Sequence, residues 1–170
     1  MVNTLVNFFL KIFSGMSTTE LGKDIVIFII SLLPLIELRG GLIAAALLNV
    51  KFIKAFFICY IANILPIPFI LWLIKSILCW MGKTKIFKGI VNWLNEKVEK
   101  KKGNIEKYGY FGILLFVGIP LPGTGAWTGA LIATMLNMDK KKSFLYIALG
   151  VLIAGIIMSI LSYGLLKNVI

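Results

Sequence analysis

The 170-residue sequence has no histidine, only two cysteines and only seven acidic residues. Without histidine, it lacks the side chain that most often acts as a general base or a metal ligand near neutral pH. Cys59 and Cys79 lie 20 positions apart, a spacing that matches no zinc or redox motif. These absences argue against an enzyme, and we expect no catalytic residue, no bound metal and no cofactor.

Charged residues are also scarce, and apolar residues take their place. The charged fraction is 15% and the apolar fraction is 59%, whereas soluble domains have about 25% and about 45–50%. The mean hydropathy is +0.97. This composition is typical of a membrane protein and excludes a disordered chain. The net charge of +11 therefore indicates lipids at an anionic membrane surface, rather than nucleic acid, as the partner.

The N-terminal third contains two kinds of apolar segment. Residues 1–19 carry polar side chains at helical spacing, which predicts an interfacial amphipathic helix, with a short spanning helix as the alternative. Pro34 interrupts the next apolar stretch and leaves pieces at 21–33 and 40–50, of about 20 and 16 Å. A hydrocarbon core is about 30 Å thick. We therefore favour a re-entrant hairpin of two half-helices over one kinked span.

Longer apolar segments follow this hairpin. Residues 55–74 and 143–166 are long enough to cross a bilayer as helices. Between them, residues 81–107 hold eight lysines and predict a basic helix on the membrane surface. We expect a single membrane domain, 1–170, composed of the interfacial helix 1–19, a first repeat 20–80, a basic cytoplasmic linker 81–107 and a second repeat 108–170.

The two repeats are defined by an internal sequence match. A shift of 88 positions gives ten identities over residues 28–76. The most informative pairs are Pro34 with Pro122, Gly41 with Gly129, and Asn49 with Asn137. Each half predicts a hairpin followed by one spanning helix. Because a hairpin returns to its own side and a span crosses, we expect the second half to be inverted relative to the first.

The lysines predict the orientation of this arrangement. Eleven of the 17 lysines lie in 83–107 and 140–142, which inverted repeats place on the same side of the membrane. The positive-inside rule makes that side cytoplasmic. The N-terminal helix and the C-terminus are then expected on the outer side.

One acid and the only arginine lie at the predicted tip of the first hairpin. A charge at the centre of a membrane helix costs about 2.5–3.5 kcal/mol, so Glu37 and Arg39 need a structural or functional reason. On an extended tip their side chains share one face, where they either form a structural ion pair or bind a substrate or proton. We favour a binding site, with Glu37 carrying a proton or cation and Arg39 holding an anionic group.

Other candidates lie on the second tip and on the first span. The second tip is rich in proline and glycine, a backbone that membranes tolerate where it lines a cavity. The second helix of each hairpin begins near the midplane, where its free N–H groups favour an anion. Asn63 either contributes to this cavity or joins two helices. The candidate binding residues are Glu37, Arg39, Asn63, Pro120, Pro122, Gly123, Thr124, Gly125 and Trp127. The residues expected to pack the hairpins are Pro34, Gly41, Ala45, Gly129 and Ala133.

The two tip segments, 34–41 and 118–130, resemble the two motifs of the small multi-drug export family of prokaryotic membrane proteins. The resemblance covers residues 20–166. The sequence departs from the family's motif at residues 41–43. It has Gly-Leu-Ile there, whereas the family often has a small residue followed by Ile and Pro. It implies drug export and a multi-pass protein of the inner (plasma) membrane. That family is in turn similar to the DedA family, which is linked to transport of polyprenyl phosphate and other lipids and implies paired re-entrant hairpins.

The residues and the resemblance together predict an all-α membrane protein with two inverted repeats. We expect a small transporter that exports small or amphipathic substrates, with proton coupling through Glu37. One alternative is a DedA-like carrier or scramblase of anionic lipids, and another is a scaffold that transports nothing. A homodimer is expected because 170 residues shield a central site poorly from lipid.

Overall fold

The computed structural model describes residues 19–34, 36–74, 108–121 and 123–165, together with the isolated residues 11, 15 and 96. Within these ranges the chain is helical and contains no strand, which confirms the predicted all-α class. The helices predicted within 1–19 and 81–107 fall outside the described residues, apart from single positions.

The described helices are divided between the two halves of the chain. In order they are α1 (Glu20–Leu32), α2 (Glu37–Leu47), α3 (Phe52–Ile64), α4 (Tyr108–Gly118), α5 (Ala126–Met135) and α6 (Lys140–Ser159). A π-helical stretch, Ile160–Leu165, extends α6. Helices α1, α2 and α3 pack against one another, and α5 packs against α6. Because α6 also contacts α2 and α3, it joins the two halves.

Two helices in the described part of the chain are long and apolar enough to cross a membrane. Helix α3 continues past a turn at 65–66, so that its apolar span is Phe52–Ile74, 23 residues. The other span is Lys140–Gly164, 25 residues. At 1.5 Å per residue these spans measure about 35 and 38 Å, more than the hydrocarbon core of about 30 Å. They coincide with the spanning segments predicted from the sequence.

The outer faces of both spans are apolar. Ile53, Phe57 and Ile61 recur every four residues on α3 and expose between 55% and 67% of their surface. Leu145 and Leu149 continue the same pattern on α6. Apolar stripes of this length are unfavourable in water and typical of helices that face lipid. The structure therefore supports the membrane location that the composition predicts.

Helix boundaries recur with the offset of 88 residues. Helix α2 ends at residue 47 and α5 at residue 135, while α3 begins at residue 52 and α6 at residue 140. The tip between α1 and α2 thus corresponds to the tip between α4 and α5. The sequence match is therefore accompanied by a match in the positions of the helices.

The turns that end α2 and α5 are also alike. Asn49 and Asn137 have φ angles of 55° and 53°, in the left-handed region that asparagine tolerates better than most residues. In each turn the next N–H donates to the carbonyl four residues before the asparagine, at 2.9 and 3.0 Å. These are Schellman endings, which satisfy the last carbonyls of a helix. The paired asparagines of the sequence match thus have the same structural role.

Helices α1, α2 and α3 approach one another most closely at Gly41. A Cβ atom at this position would overlap Ser31 Oγ on α1 and lie 2.9 Å from Cys59 Sγ on α3. The Ser31 hydroxyl is held in place because it donates to the carbonyl of Ile27 at 2.7 Å. Glycine is therefore required here by lack of space.

We predict that Gly41→Ala destabilises the protein by about 1–3 kcal/mol, the usual cost of an overpacked interior. The measurement is thermal unfolding in detergent. Gly118→Ala is the matched control, because a Cβ there meets its nearest neighbour at 3.5 Å, an ordinary contact. Ser31→Ala should restore part of the lost stability of Gly41→Ala by removing the overlapping oxygen. Equal stability of the Gly41 and Gly118 variants would contradict this account of the packing.

Candidate functional site

The Glu37 carboxylate joins the tips of the two halves. Glu37 begins α2, has only 6% of its surface exposed and adopts a left-handed φ of 55°. Its carboxylate accepts hydrogen bonds from the backbone N–H groups of Ala126 at 3.1 Å and Trp127 at 3.4 Å. These are the first two residues of α5, whose N–H groups have no partner within the helix. A carboxylate from the first half therefore caps a helix of the second half, where the helix dipole also favours negative charge.

Gly125 makes room for this carboxylate. It is the residue before α5, and it has no side chain with which to cap the helix itself. A Cβ atom on Gly125 would overlap the carboxylate of Glu37. The φ of Gly125 is −86°, a value open to any residue, so the requirement for glycine is one of space. Since 37 and 125 differ by 88, the two residues in contact occupy equivalent positions of the two halves.

Arg39 binds the backbone of the second tip. Its guanidinium donates to the carbonyls of Leu121 and Ile119, the latter at 3.3 Å, and to Thr124 Oγ1 at 3.1 Å. The Thr124 hydroxyl also lies 2.7 Å from the Leu121 carbonyl and 2.9 Å from the Ile119 carbonyl. Helix α4 has just ended here, and Pro120 has no N–H with which to continue the helical hydrogen bonds. Arg39 and Thr124 thus hydrogen-bond to two carbonyls that lie just beyond the end of this helix.

The ion pair between Glu37 and Arg39, the alternative to a binding site in the sequence analysis, is not found. In the part of the chain that the structure describes, ion pairs join Glu20 to Lys23 and Asp24 to Lys54. The reason is that the predicted extended tip ends earlier, so that both residues belong to the first turn of α2. Helical residues two positions apart point in different directions. Each charged side chain therefore reaches a different part of the second tip.

A small cavity lies beside Glu37, with room for about one water molecule. Its polar lining comes from Glu37, Arg39 and Asn63, and the remaining lining includes Val117 and Val151. The side chain of Asn63 lies on α3 with 2% of its surface exposed, and its Oδ1 finds no hydrogen-bond partner among the described residues. The cavity thus brings together α2, α3 and the second half of the chain.

The sequence model of a family described as "Putative small multi-drug export protein" matches residues 37–157. The chain belongs to this family. The match covers 121 of the 170 residues, begins at Glu37 and includes every contact between the tips described above. No curated protein and no solved structure matches the chain. The similarity to the DedA family stays a prediction.

The structure of this export-family protein brings most of the predicted binding residues to one place. Glu37, Arg39, Thr124 and Gly125 are in direct contact across the tips, and Trp127 contributes its backbone N–H. The Trp127 ring packs on the core, and its Nε1 has no partner in the described segments. The remaining binding candidates of the second tip are half-buried Pro120, exposed Gly123 with a φ of 78°, and Pro122, which is outside the described residues. Pro34, which was predicted to pack the first hairpin, is exposed.

The small residues predicted to pack the hairpins are buried in α2 and α5. Gly41 and Ala45 lie on α2, and Gly129 and Ala133 lie on α5. The closest approaches of both glycines are within their own halves, since a Cβ on Gly129 would lie 2.6 Å from Val117 of α4. At the tips, the contact between the halves instead passes through the charged side chains of Glu37 and Arg39.

Some functional contacts could not be anticipated from side-chain chemistry. Ala126 takes part through its N–H, and Ile119 and Leu121 take part through their carbonyls. The prediction that helix N-termini at the tips favour an anion did point to Ala126, the first residue of α5. The anion at this N-terminus is the protein's own Glu37 carboxylate.

We predict that Gly125→Ala and Glu37→Ala are strongly non-additive. Gly125→Ala should destabilise the protein because its methyl group overlaps the carboxylate. In a Glu37→Ala background this overlap is gone, so that the same change should cost less, with a coupling of about 0.5–3 kcal/mol. The measurement is the free energy of unfolding of all four proteins in detergent.

Gly164→Ala is the control for this cycle, because no atom lies within 4 Å of a Cβ placed there. It should show no coupling to Glu37→Ala. If Gly125→Ala lowers the free energy of unfolding equally with and without the Glu37 side chain, the carboxylate does not lie against Gly125.

Proposed function

We propose that this protein is a proton-coupled exporter of small or amphipathic substrates, in which Glu37 controls the contact between the two tips. The observation that carries the proposal is the buried Glu37 carboxylate on the N-terminus of α5. Protonation removes its charge and turns one acceptor oxygen into a hydroxyl, which weakens its bonds to both N–H groups. The tips then separate, and the cavity between them opens to substrate.

The proposed architecture is two inverted repeats, each with a re-entrant hairpin. Helices α1, α2 and α5 have 13, 11 and 10 residues, so each is about 15–20 Å long. This is shorter than the membrane core of about 30 Å, whereas α3 and α6 are long enough to cross. The recurring helix boundaries support the repeat. A multi-pass protein of the plasma membrane, surrounded by lipid, follows from it.

We predict opposite accessibility for the loops before α3 and α6. Lys51 and Lys140 are both exposed at the starts of the two spans. In a background with Cys59 and Cys79 replaced by alanine, Lys51→Cys should react with an impermeant thiol reagent in intact cells. Lys140→Cys should react only after the membrane is opened. Labelling of both variants from the same side would refute the inverted arrangement.

A scaffold without transport is the second candidate, and one observation favours it. The tips pack closely, and the cavity beside Glu37 has room for only about one water molecule. In the exporter proposal this is the closed state of a protein that also opens. In the scaffold it is the only state, and no substrate flux occurs.

The anionic-lipid carrier receives less support from the site. That alternative requires the guanidinium of Arg39 to bind a headgroup. Its donors are instead directed to Ile119, Leu121 and Thr124 of the second tip. A headgroup would have to displace these contacts, and in the exporter proposal Arg39 is a positioning residue.

We predict that Glu37→Gln lowers proton-driven flux in proteoliposomes by about a hundredfold, because glutamine cannot exchange a proton. The assay uses a pH gradient and a panel of cationic dyes, small organic cations and labelled anionic lipids. Thermal unfolding of the same samples separates loss of transport from loss of folding.

Glu20→Gln is the matched control, since Glu20 also begins a helix but is exposed at the surface. It should transport like the wild type. Absence of flux for every substrate in wild-type protein would favour the scaffold, and equal flux in wild type and Glu37→Gln would remove Glu37 from the mechanism. Transport of labelled anionic lipid alone would favour the lipid carrier.

A further inference from the structure

Asn63, which lines the cavity beside Glu37, has a hydrogen-bond acceptor without a partner. It is 98% buried on α3, and its Oδ1 has no hydrogen-bond partner in the residues that the structure describes. A buried carbonyl oxygen without a partner is rare in folded proteins, and ordered water is a common way to satisfy one. Asn63 therefore points to a bound molecule that donates a hydrogen bond.

Glu37 supplies the second acceptor of this cavity. Its two oxygens each accept one backbone N–H, and a carboxylate has about four lone-pair sites. The carboxylate can thus accept a further hydrogen bond from the cavity side. Two acceptors around a space for one small molecule match the two hydrogens of water.

The same lining fits a metal cation poorly. Calcium and magnesium take six or more oxygen ligands, whereas the polar side chains that line this cavity are Glu37, Asn63 and the cationic Arg39. Apolar side chains, among them Val117 and Val151, complete the lining. The described part of the chain contains no cluster of three acidic, cysteine or histidine side chains for a metal.

We propose that one water molecule binds in this cavity and donates its hydrogens to Asn63 Oδ1 and to the Glu37 carboxylate. This inference rests on the proposed function, since it makes the water the group that passes protons to Glu37. The water accepts a proton from solvent as it gives one to a Glu37 oxygen, and the tips then separate. The water is unchanged at the end, and release of the proton is the reverse step.

Asn63→Leu and Asn63→Ser test this water. Leucine is close in size to asparagine, fills the space and offers no acceptor, whereas serine leaves room for water and keeps a hydroxyl. The direct measurement is infrared difference spectroscopy between protonated and deprotonated protein in detergent, repeated in water labelled with heavy oxygen. An isolated water gives an O–H band that shifts with the label.

The wild type should show this band, Asn63→Leu should lack it and Asn63→Ser should regain it. In Glu37→Gln the band should disappear from the difference spectrum, because no carboxyl beside the water changes its protonation. Proton-driven flux should fall by about tenfold or more in Asn63→Leu at unchanged thermal stability, and recover in Asn63→Ser. A missing band in the wild type, or the same band in Asn63→Leu, would overturn the proposal. The spectra do not depend on transport. The water band can therefore be absent while the Glu37→Gln variant loses flux, or present while that variant keeps its flux.

Discussion

The hydrogen bonds between one buried carboxylate and the N-terminus of α5 determine how the tips of the two halves meet. An N–H group at a helix start is costly to leave unpaired in a membrane interior, and so is a carboxylate. Each satisfies the other when Glu37 reaches Ala126 and Trp127. The arrangement then requires a glycine at 125, a left-handed φ at Glu37 and a tip short enough for the two helix starts to touch.

The second charged residue fixes the other side of the same contact. Arg39 satisfies carbonyls at the end of α4, as Glu37 satisfies N–H groups at the start of α5. Glu37 thus faces the positive N-terminal end of α5, and Arg39 faces the negative C-terminal end of α4. The two charges stabilise the second tip together although they do not touch each other. This explains how both charges can lie within an apolar stretch.

Much of this architecture was predictable because it depends on local or periodic features of the chain. The two spans follow from the length of their apolar runs, and the turns at Asn49 and Asn137 recur with the sequence match. The start of α2 was harder to predict, because nothing in the sequence indicates that a glutamate adopts a φ in the left-handed region. The partners of Glu37 and Arg39 were not predictable, since two opposite charges so close in the sequence suggest that the residues pair with each other. Only the tertiary structure brings residues 37 and 126 together.

Glu37 meets Gly125, its counterpart in the other half, and two copies of the same half could not form this contact. A symmetric pair of first halves would bring two glutamates to the same point, where like charges repel. A symmetric pair of second halves would bring two glycines, which leave both helix starts without a cap. Each half therefore supplies what the other lacks, and the contact forms only between unlike partners. Carrying both halves in one polypeptide guarantees that they are present in equal numbers and that the unlike pair is the one that forms.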